Sequence, residues 1–352
     1  MEHFIGCDAH KNFSVFVAVN EKGHAGEAVR VAHERQLYQE FLAQLPPQSA
    51  IAVEASGHYS WLVDEMERLG HHPKLANPLE AKRRMGLTKK TDKLDAKGLA
   101  ILLRNGTLPE VWIPPSELRD QRELLRMRIF LVHLKTRVKN RIHGTLARHN
   151  VVVPGADLFG VEARLRLKSR LPELPLHSRE AIERELATLD FLETQIESAE
   201  KQLKSIMQVS AEADLLKTLP CVGEILSMVL MLEIGRVDRF PTAAHLASYA
   251  GLVPRVHSSG GHTRMGQVCG NVNRNLKWAC VETGDSVVVN LHRLAGTHVV
   301  RLYQRLKRAK NHQKAVVAVA RHLAEAAWWV LTKQEVYRDP RVARQALSST
   351  HG

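Results

Sequence analysis

Four acids in this 352-residue chain stand where a divalent cation could be held. Asp8 closes the apolar run Phe4-Ile5-Gly6-Cys7, and Glu54 closes a second, Ala50-Ile51-Ala52-Val53. If those runs are neighbouring strands, both carboxylates emerge at one sheet edge. Asp92 and Asp95 are three apart in Thr91-Asp92-Lys93-Leu94-Asp95-Ala96, a spacing that sets both on one helix face. Four converging carboxylates repel unless a cation holds them. Mg²⁺ prefers oxygen ligands, and two such ions about 4 Å apart serve phosphoryl transfer. An acid at a strand end is also commonly a helix cap or a surface charge, so spacing alone leaves both readings open.

The surroundings favour the metal. Lys82, Arg83, Arg84, Lys89, Lys90, Lys93 and Lys97 face only Glu80, Asp92 and Asp95 between positions 80 and 97. Basic groups of this kind bring a phosphate backbone to acids that would otherwise repel it. A helix from Ser116 adds Arg119, Arg122, Arg126, Arg128, Lys135, Arg137, Lys139, Arg141 and Arg148, for which a solvated face is the plainer alternative. A second constellation lies in Gly251 to Gly266, where Ser258, Ser259, Gly260, Gly261 and Arg264 crowd one segment. Glycines let a backbone approach phosphate closely, and a serine there can donate a hydrogen bond to it or attack it. Taken alone, the segment reads as a phosphate-contacting loop. Leu219 to Gly223 resembles the turn of a helix-hairpin-helix module, or else a simple helix start.

The elements that must position these residues fall into three zones. The length suits two or three domains, and the formal charge of +13 attracts polyanions, whether nucleic acid or an anionic membrane face. No stretch approaches the about 18 apolar residues of a membrane span, and the first residues lack a signal-peptide pattern, so a cytoplasmic protein is expected. Four cysteines lie far apart, which suggests neither a disulfide framework nor a zinc site.

Residues 1–115 read as α/β. Strands are expected at Phe4 to Asp8, Phe13 to Val19, Ala50 to Glu54 and Lys74 to Asn77, with helices near Arg35 to Leu45 and Tyr59 to Leu69. Residues 116–207 read as long helices. One starts at Ser116 and runs to His149; in the other, Ile182, Leu189, Ile196 and Leu203 recur every seven residues beside Leu192, Ala199 and Ile206, a coiled-coil seam. Its acidic face speaks against nucleic acid, and its partner is either the helix at 116–149 or another copy of the chain. Residues 208–340 are mainly helical, with an apolar helix from Ile225 to Ile234 and a Gly-rich loop from Pro254 to Gly270. Residues 341–352 form a tail expected to be disordered.

The order Gly6-Cys7-Asp8, Val53-Glu54-Ala55-Ser56-Gly57, Thr91 to Ala96, then Gly251-Leu252-Val253-Pro254 with Ser258-Ser259-Gly260, closely resembles the DEDD insertion-sequence transposases, the IS-one-ten family. The resemblance extends over almost the whole chain. It implies an N-terminal RuvC-like domain of RNase H fold, a helical coiled-coil insertion and a mainly helical C-terminal transposase domain. Asp8, Glu54, Asp92 and Asp95 match the metal ligands, which implies Mg²⁺, two ions per site. Ser259 matches the nucleophilic serine, with Ser258 its near competitor. A structured bridge RNA that pairs with donor and target DNA, and a dimer-to-tetramer assembly sharing sites between protomers, follow from the same resemblance. A hydrolytic junction nuclease, a site-specific DNA invertase and a non-catalytic nucleic-acid-binding protein are the alternatives. Cys7 and His10 are variations to which the resemblance attaches no role.

Overall fold

Short β-branched and aromatic runs separated by two amphipathic helices build an open sheet in the first third of the chain. The computed structural model describes residues 3–86, 91–155, 157–207, 210–259, 262–268 and 272–340. They divide into two units, Met1–Glu117 and Leu118–Gly352. In the first, β1 (His3–Ala9), β2 (Phe13–Asn20), β3 (Val29–Ala32), β4 (Ala50–Glu54), β5 (His72–Ala76) and β6 (Glu110–Val111) lie in the order β3-β2-β1-β4-β5-β6. β1, β4 and β5 are parallel, whereas β2, β3 and β6 run antiparallel to their neighbours. Parallel pairing needs crossovers. α1 (Arg35–Gln44) leads into β4, and α2 (Tyr59–Arg68) carries the chain from β4 to β5. α3 (Pro78–Met85) and α4 (Asp92–Arg104) follow β5. The two edge strands β3 and β6, four and two residues long, are too short to show a period-2 pattern and were not foreseen.

Alternation along β1 and β4 sends Ile5, Cys7, Ile51 and Val53 to one face, where they meet Phe16, Tyr38, Leu42, Leu62 and Met66. Burial pushes the Cys7 thiol up to about 12, so it is an inert core group. The other face carries Gly6 and Ala52 and takes α4. A Cβ on Gly6 would stand 1.9 Å from the Ala96 carbonyl oxygen and 2.7 Å from the Ala100 amide nitrogen. These are backbone atoms with nowhere to go. Gly6→Ala is therefore expected to lift α4 from the sheet and cost about 1–3 kcal/mol, read as a lower unfolding midpoint. An unchanged midpoint would mean that α4 does not rest on β1.

Among the described residues the second unit is helical apart from one hairpin. Its elements are α5 (Ser116–Arg148), α6 (Val161–Arg170), α7 (Leu176–Met207), α8 (Ala211–Lys217), α9 (Glu224–Ile234), α10 (Ala243–Tyr249), β7 (Pro254–Ser259), β8 (His262–Val268), α11 (Arg274–Val289), α12 (His298–Ala309) and α13 (His312–Lys333). The heptad stripe of α7 is buried at Ile182, Leu189, Leu192, Ile196, Ala199 and Leu203. Its partner is in the same chain. Arg128 pairs with Glu200 at 2.6 Å, Lys135 with Glu193 at 3.0 Å, and Arg141 with Glu185, so α7 descends as α5 rises. Arg164 of α6 reaches Asp190 and Glu193 of α7. Glu185, Asp190, Glu193 and Glu200 of the acidic face of α7 are thus counter-charges of α5 and α6.

The segment expected to be a Gly-rich loop is instead an antiparallel hairpin over much of its length, with Ser259 opposite His262 and Ser258 opposite Thr263. The pair Gly260-Gly261 between two strand-length runs is a hairpin signal that the glycine content concealed. Among the described residues no helix is long and apolar enough to cross a membrane. The tail 341–352 lies outside the described residues.

Candidate active site

The sheet register brings the first two acids together. Cys7 of β1 lies beside Val53 of β4, so Asp8 and Glu54 follow one another at the same carboxyl edge. α4 brings the other two. Thr91 caps it, its Oγ1 accepting from the Leu94 N–H at 3.3 Å, which places Asp92 and Asp95 in the first turn, where the helix dipole favours anions. Because α4 rests on Gly6, that turn comes down beside Asp8.

The electrostatics report the convergence. Asp8 is 8% exposed. Its carboxyl is pushed up to about 6, first by burial; His10 opposes the rise, while Asp95, Glu54 and Asp92 all add to it. All three other acids therefore act on Asp8. His10 was not among the expected site residues, yet its Nε2 lies 3.3 Å from both Asp8 Oδ2 and Asp92 Oδ1. That nitrogen is buried and lacks an aligned hydrogen bond. Asp8, His10 and Asp92 each offer a ligand atom, all within 4.8 Å of one another. This donor set, with an orphaned nitrogen facing two carboxylates, fits a divalent cation.

The basic surroundings divide into free and committed groups. Lys82 and Lys93 are exposed on α3 and α4. Arg83 pairs with Glu80 at 2.6 Å, and Arg84 donates to the Thr107 carbonyl at 2.6 Å. Lys89 and Lys90 lie outside the described residues, as does Gly260.

In the second unit, Ser258 and Ser259 lie in β7, and Arg264, exposed, lies in β8 opposite His257. The base of the hairpin is built tightly. Gly251 has φ +67° and packs against Val272, so a side chain there would be both strained and crowded. The Asn273 N–H donates to the Tyr249 carbonyl at 3.1 Å, and Asn273 Nδ2 donates to Tyr249 Oη at 3.1 Å and to Glu233 Oε2 at 2.8 Å. Asn275 Nδ2 donates to Glu233 Oε1 at 3.0 Å.

Glu233 also corrects an expectation. Arg122 and Arg126 were expected to contact nucleic acid, but Arg126 forms two 3.1 Å hydrogen bonds to the Glu233 carboxylate. Arg122, 5% exposed, donates to the Leu232 and Glu233 carbonyls at 2.7 and 3.0 Å. Burial pushes the Glu233 carboxyl up, yet hydrogen bonds from Arg126 and Asn273 and the two guanidinium charges outweigh it and hold the group below the usual carboxylate range. The sequence did carry a signal: Glu233 is the one acid inside the apolar run Ile225 to Ile234.

The chain is similar to known transposases. A family model described as the transposase IS116/IS110/IS902 family matches residues 213–299, and a second, for the DEDD transposase domain of IS110 elements, matches residues 5–151. The chain is 26% identical over 334 residues to the transposase for insertion sequence element IS1328 of Yersinia enterocolitica, covering 95% of this chain and 98% of that protein. It is 25% identical over 339 residues to a probable family 20 transposase of Pseudomonas aeruginosa, covering 95% and 98%. Over 218 residues it is 28% identical to the pilin gene-inverting protein of Moraxella bovis, 60% of this chain and 58% of that one.

Proposed function

The chain belongs to the IS116/IS110/IS902 transposase family, DNA-cleaving and strand-transferring enzymes, and from that premise we propose that it exchanges DNA strands through a phosphoserine intermediate, with a RuvC-like acidic centre assisting. The single observation that carries the acidic centre is the meeting at Asp8, where the β1–β4 register sets Glu54 alongside and His10 and Asp92 offer ligand atoms within 4.8 Å. The parallel β1, β4 and β5 beside an antiparallel β2 support the RuvC-like reading of the first unit. A divalent cation held there, Mg²⁺ by the family resemblance, would stabilise charge on the scissile phosphate and its leaving oxygen.

The chain's own groups do the rest. Asp8, Glu54, Asp92 and Asp95 orient the phosphate's counter-charge, and Lys82 and Lys93 draw the DNA backbone toward an otherwise repulsive edge. Ser259 Oγ forms a bond to phosphorus, the bond from phosphorus to the 3′ oxygen breaks, and the serine proton is lost as that oxygen gains one. The phosphoserine conserves the ester bond, so a second 3′ hydroxyl can reverse the step on another strand without ATP. This is consistent with a sequence that contains no GxxxxGK[ST] phosphate loop.

On a nicked duplex, the parent is expected to accumulate a covalent protein–DNA adduct that Ser259→Ala abolishes. An adduct that persists in Ser259→Ala and vanishes in Ser258→Ala would move the nucleophile by one residue, and none in the parent would favour hydrolysis. The same proposal includes a bridge RNA guide and a dimer-to-tetramer assembly acting on donor and target DNA at the nucleoid. The net charge of +13 supports it. Sequencing the copurifying RNA tests it, and random fragments would count against it. Site-specific inversion is the second reading, favoured by the pilin gene-inverting relative.

A further inference from the structure

The acidic centre contains a nitrogen donor, and we propose that His10 is a metal ligand, one that makes the site favour a first-row transition dication such as Mn²⁺ over Mg²⁺. The inference rests on the reading of Asp8, Glu54, Asp92 and Asp95 as a metal centre. His10 sits in the turn between β1 and β2, and two contacts hold it. Its backbone N–H donates to the Phe13 carbonyl at 2.9 Å, and its ring stacks on Phe13 with centroids 4.6 Å apart. Phe13 is backed in turn by the Arg30 guanidinium, 3.8 Å from its centroid. A ring held in this way presents Nε2 to Asp8 and Asp92, 3.3 Å from each.

These separations suit ligands of one ion better than they suit hydrogen bonds. Adjacent ligand atoms around an octahedral ion with bonds of about 2.1 Å stand about 3.0 Å apart, so a contraction of a few tenths of an ångström would bring Nε2 to ligand spacing from each of the two carboxylates. Nε2 is buried without an aligned hydrogen bond, an arrangement that a neutral imidazole lone pair directed at a cation would satisfy. The chemistry of the donors then sets the preference. Mg²⁺ takes oxygen ligands and retains water, whereas imidazole nitrogen binds transition dications more strongly. A site of carboxylates alone would not discriminate in this way.

The test uses full-length, tag-free protein without DNA. Electron spin echo modulation of bound Mn²⁺ is expected to show ¹⁴N coupling in the parent, lost in both His10→Asn and His10→Ala. Mn²⁺ affinity in those variants should fall by about tenfold or more, while Mg²⁺, measured by competition, changes by less than about threefold. Bound Mn²⁺ without nitrogen coupling in the parent, or coupling that survives in His10→Asn, would overturn the proposal and leave His10 as a counter-charge for two acids. Asp8→Asn separates the two levels: Mn²⁺ binding as tight as in the parent would sink the acidic centre itself.

Discussion

Asp8→Asn is expected to abolish strand cleavage and, in the metal-free protein at neutral pH, to raise stability. On the proposed reading of Asp8 as a metal ligand, its loss removes several kcal/mol of transition-state stabilisation, which is at least about 10²–10³-fold in rate. The stability effect has the opposite sign because the Asp8 carboxyl, pushed up from 3.8 to about 6, is a strained anion in the folded chain. Between those values the folded state holds more proton than the unfolded one, so stability falls as pH rises through that window. The full difference corresponds to about 3 kcal/mol at most. Asparagine has no such anion. In EDTA at pH 7.5, Asp8→Asn should therefore melt above the parent, and the gap should close by pH 4. Adding a divalent cation should raise the parent's midpoint and leave the variant's unchanged. A variant that melts below the parent at both pH values would remove the claim of carboxylate strain, and undiminished cleavage would remove Asp8 from the chemistry.

The largest effect on folding is expected at Glu233. It is fully buried, and its carboxylate accepts from Arg126, Asn273 and Asn275. Glu233→Ala leaves those donors and the adjacent buried Arg122 uncompensated, a change that typically costs about 3–5 kcal/mol. Glu233→Gln keeps one acceptor oxygen but no charge and should fall between. Because the Glu233 carboxyl is held below its ordinary 4.5, its contribution is present above that pH and is lost as pH falls through the depressed value. Urea unfolding at pH 7 and near pH 3 would show the deficit of Glu233→Ala shrinking in acid. A deficit below about 1 kcal/mol at pH 7 would mean that the network is ornamental to folding. Through Asn273, which caps α11, the same network reaches Tyr249 at the end of α10.

Much of the first unit was legible because its signals are local. Strand runs at Phe4, Phe13 and Ala50 are short continuous apolar stretches, buried on both faces of the sheet, and an acid at each of two strand ends needs only parallel neighbours to meet. Thr91 before Asp92 and Asp95 is likewise a local helix start. The basic stripe of α5 was not legible in this way. Arg128, Lys135 and Arg141 look alike in sequence whether they face phosphate or Glu200, Glu193 and Glu185, which lie 72, 58 and 44 positions further on.

By itself, then, the sequence determined the central strands of the first unit and the long helices, which acids could share an edge, and that its charge would draw polyanions. Only the tertiary structure decided which basic groups are taken up by ion pairs within the chain, that Glu233 gathers Arg126, Asn273 and Asn275, and that His10 faces the acids. The physical reason is range. Periodicity and capping record contacts within one or two turns of the chain, whereas charge pairing across helices depends on how those helices cross, and no local residue pattern encodes that.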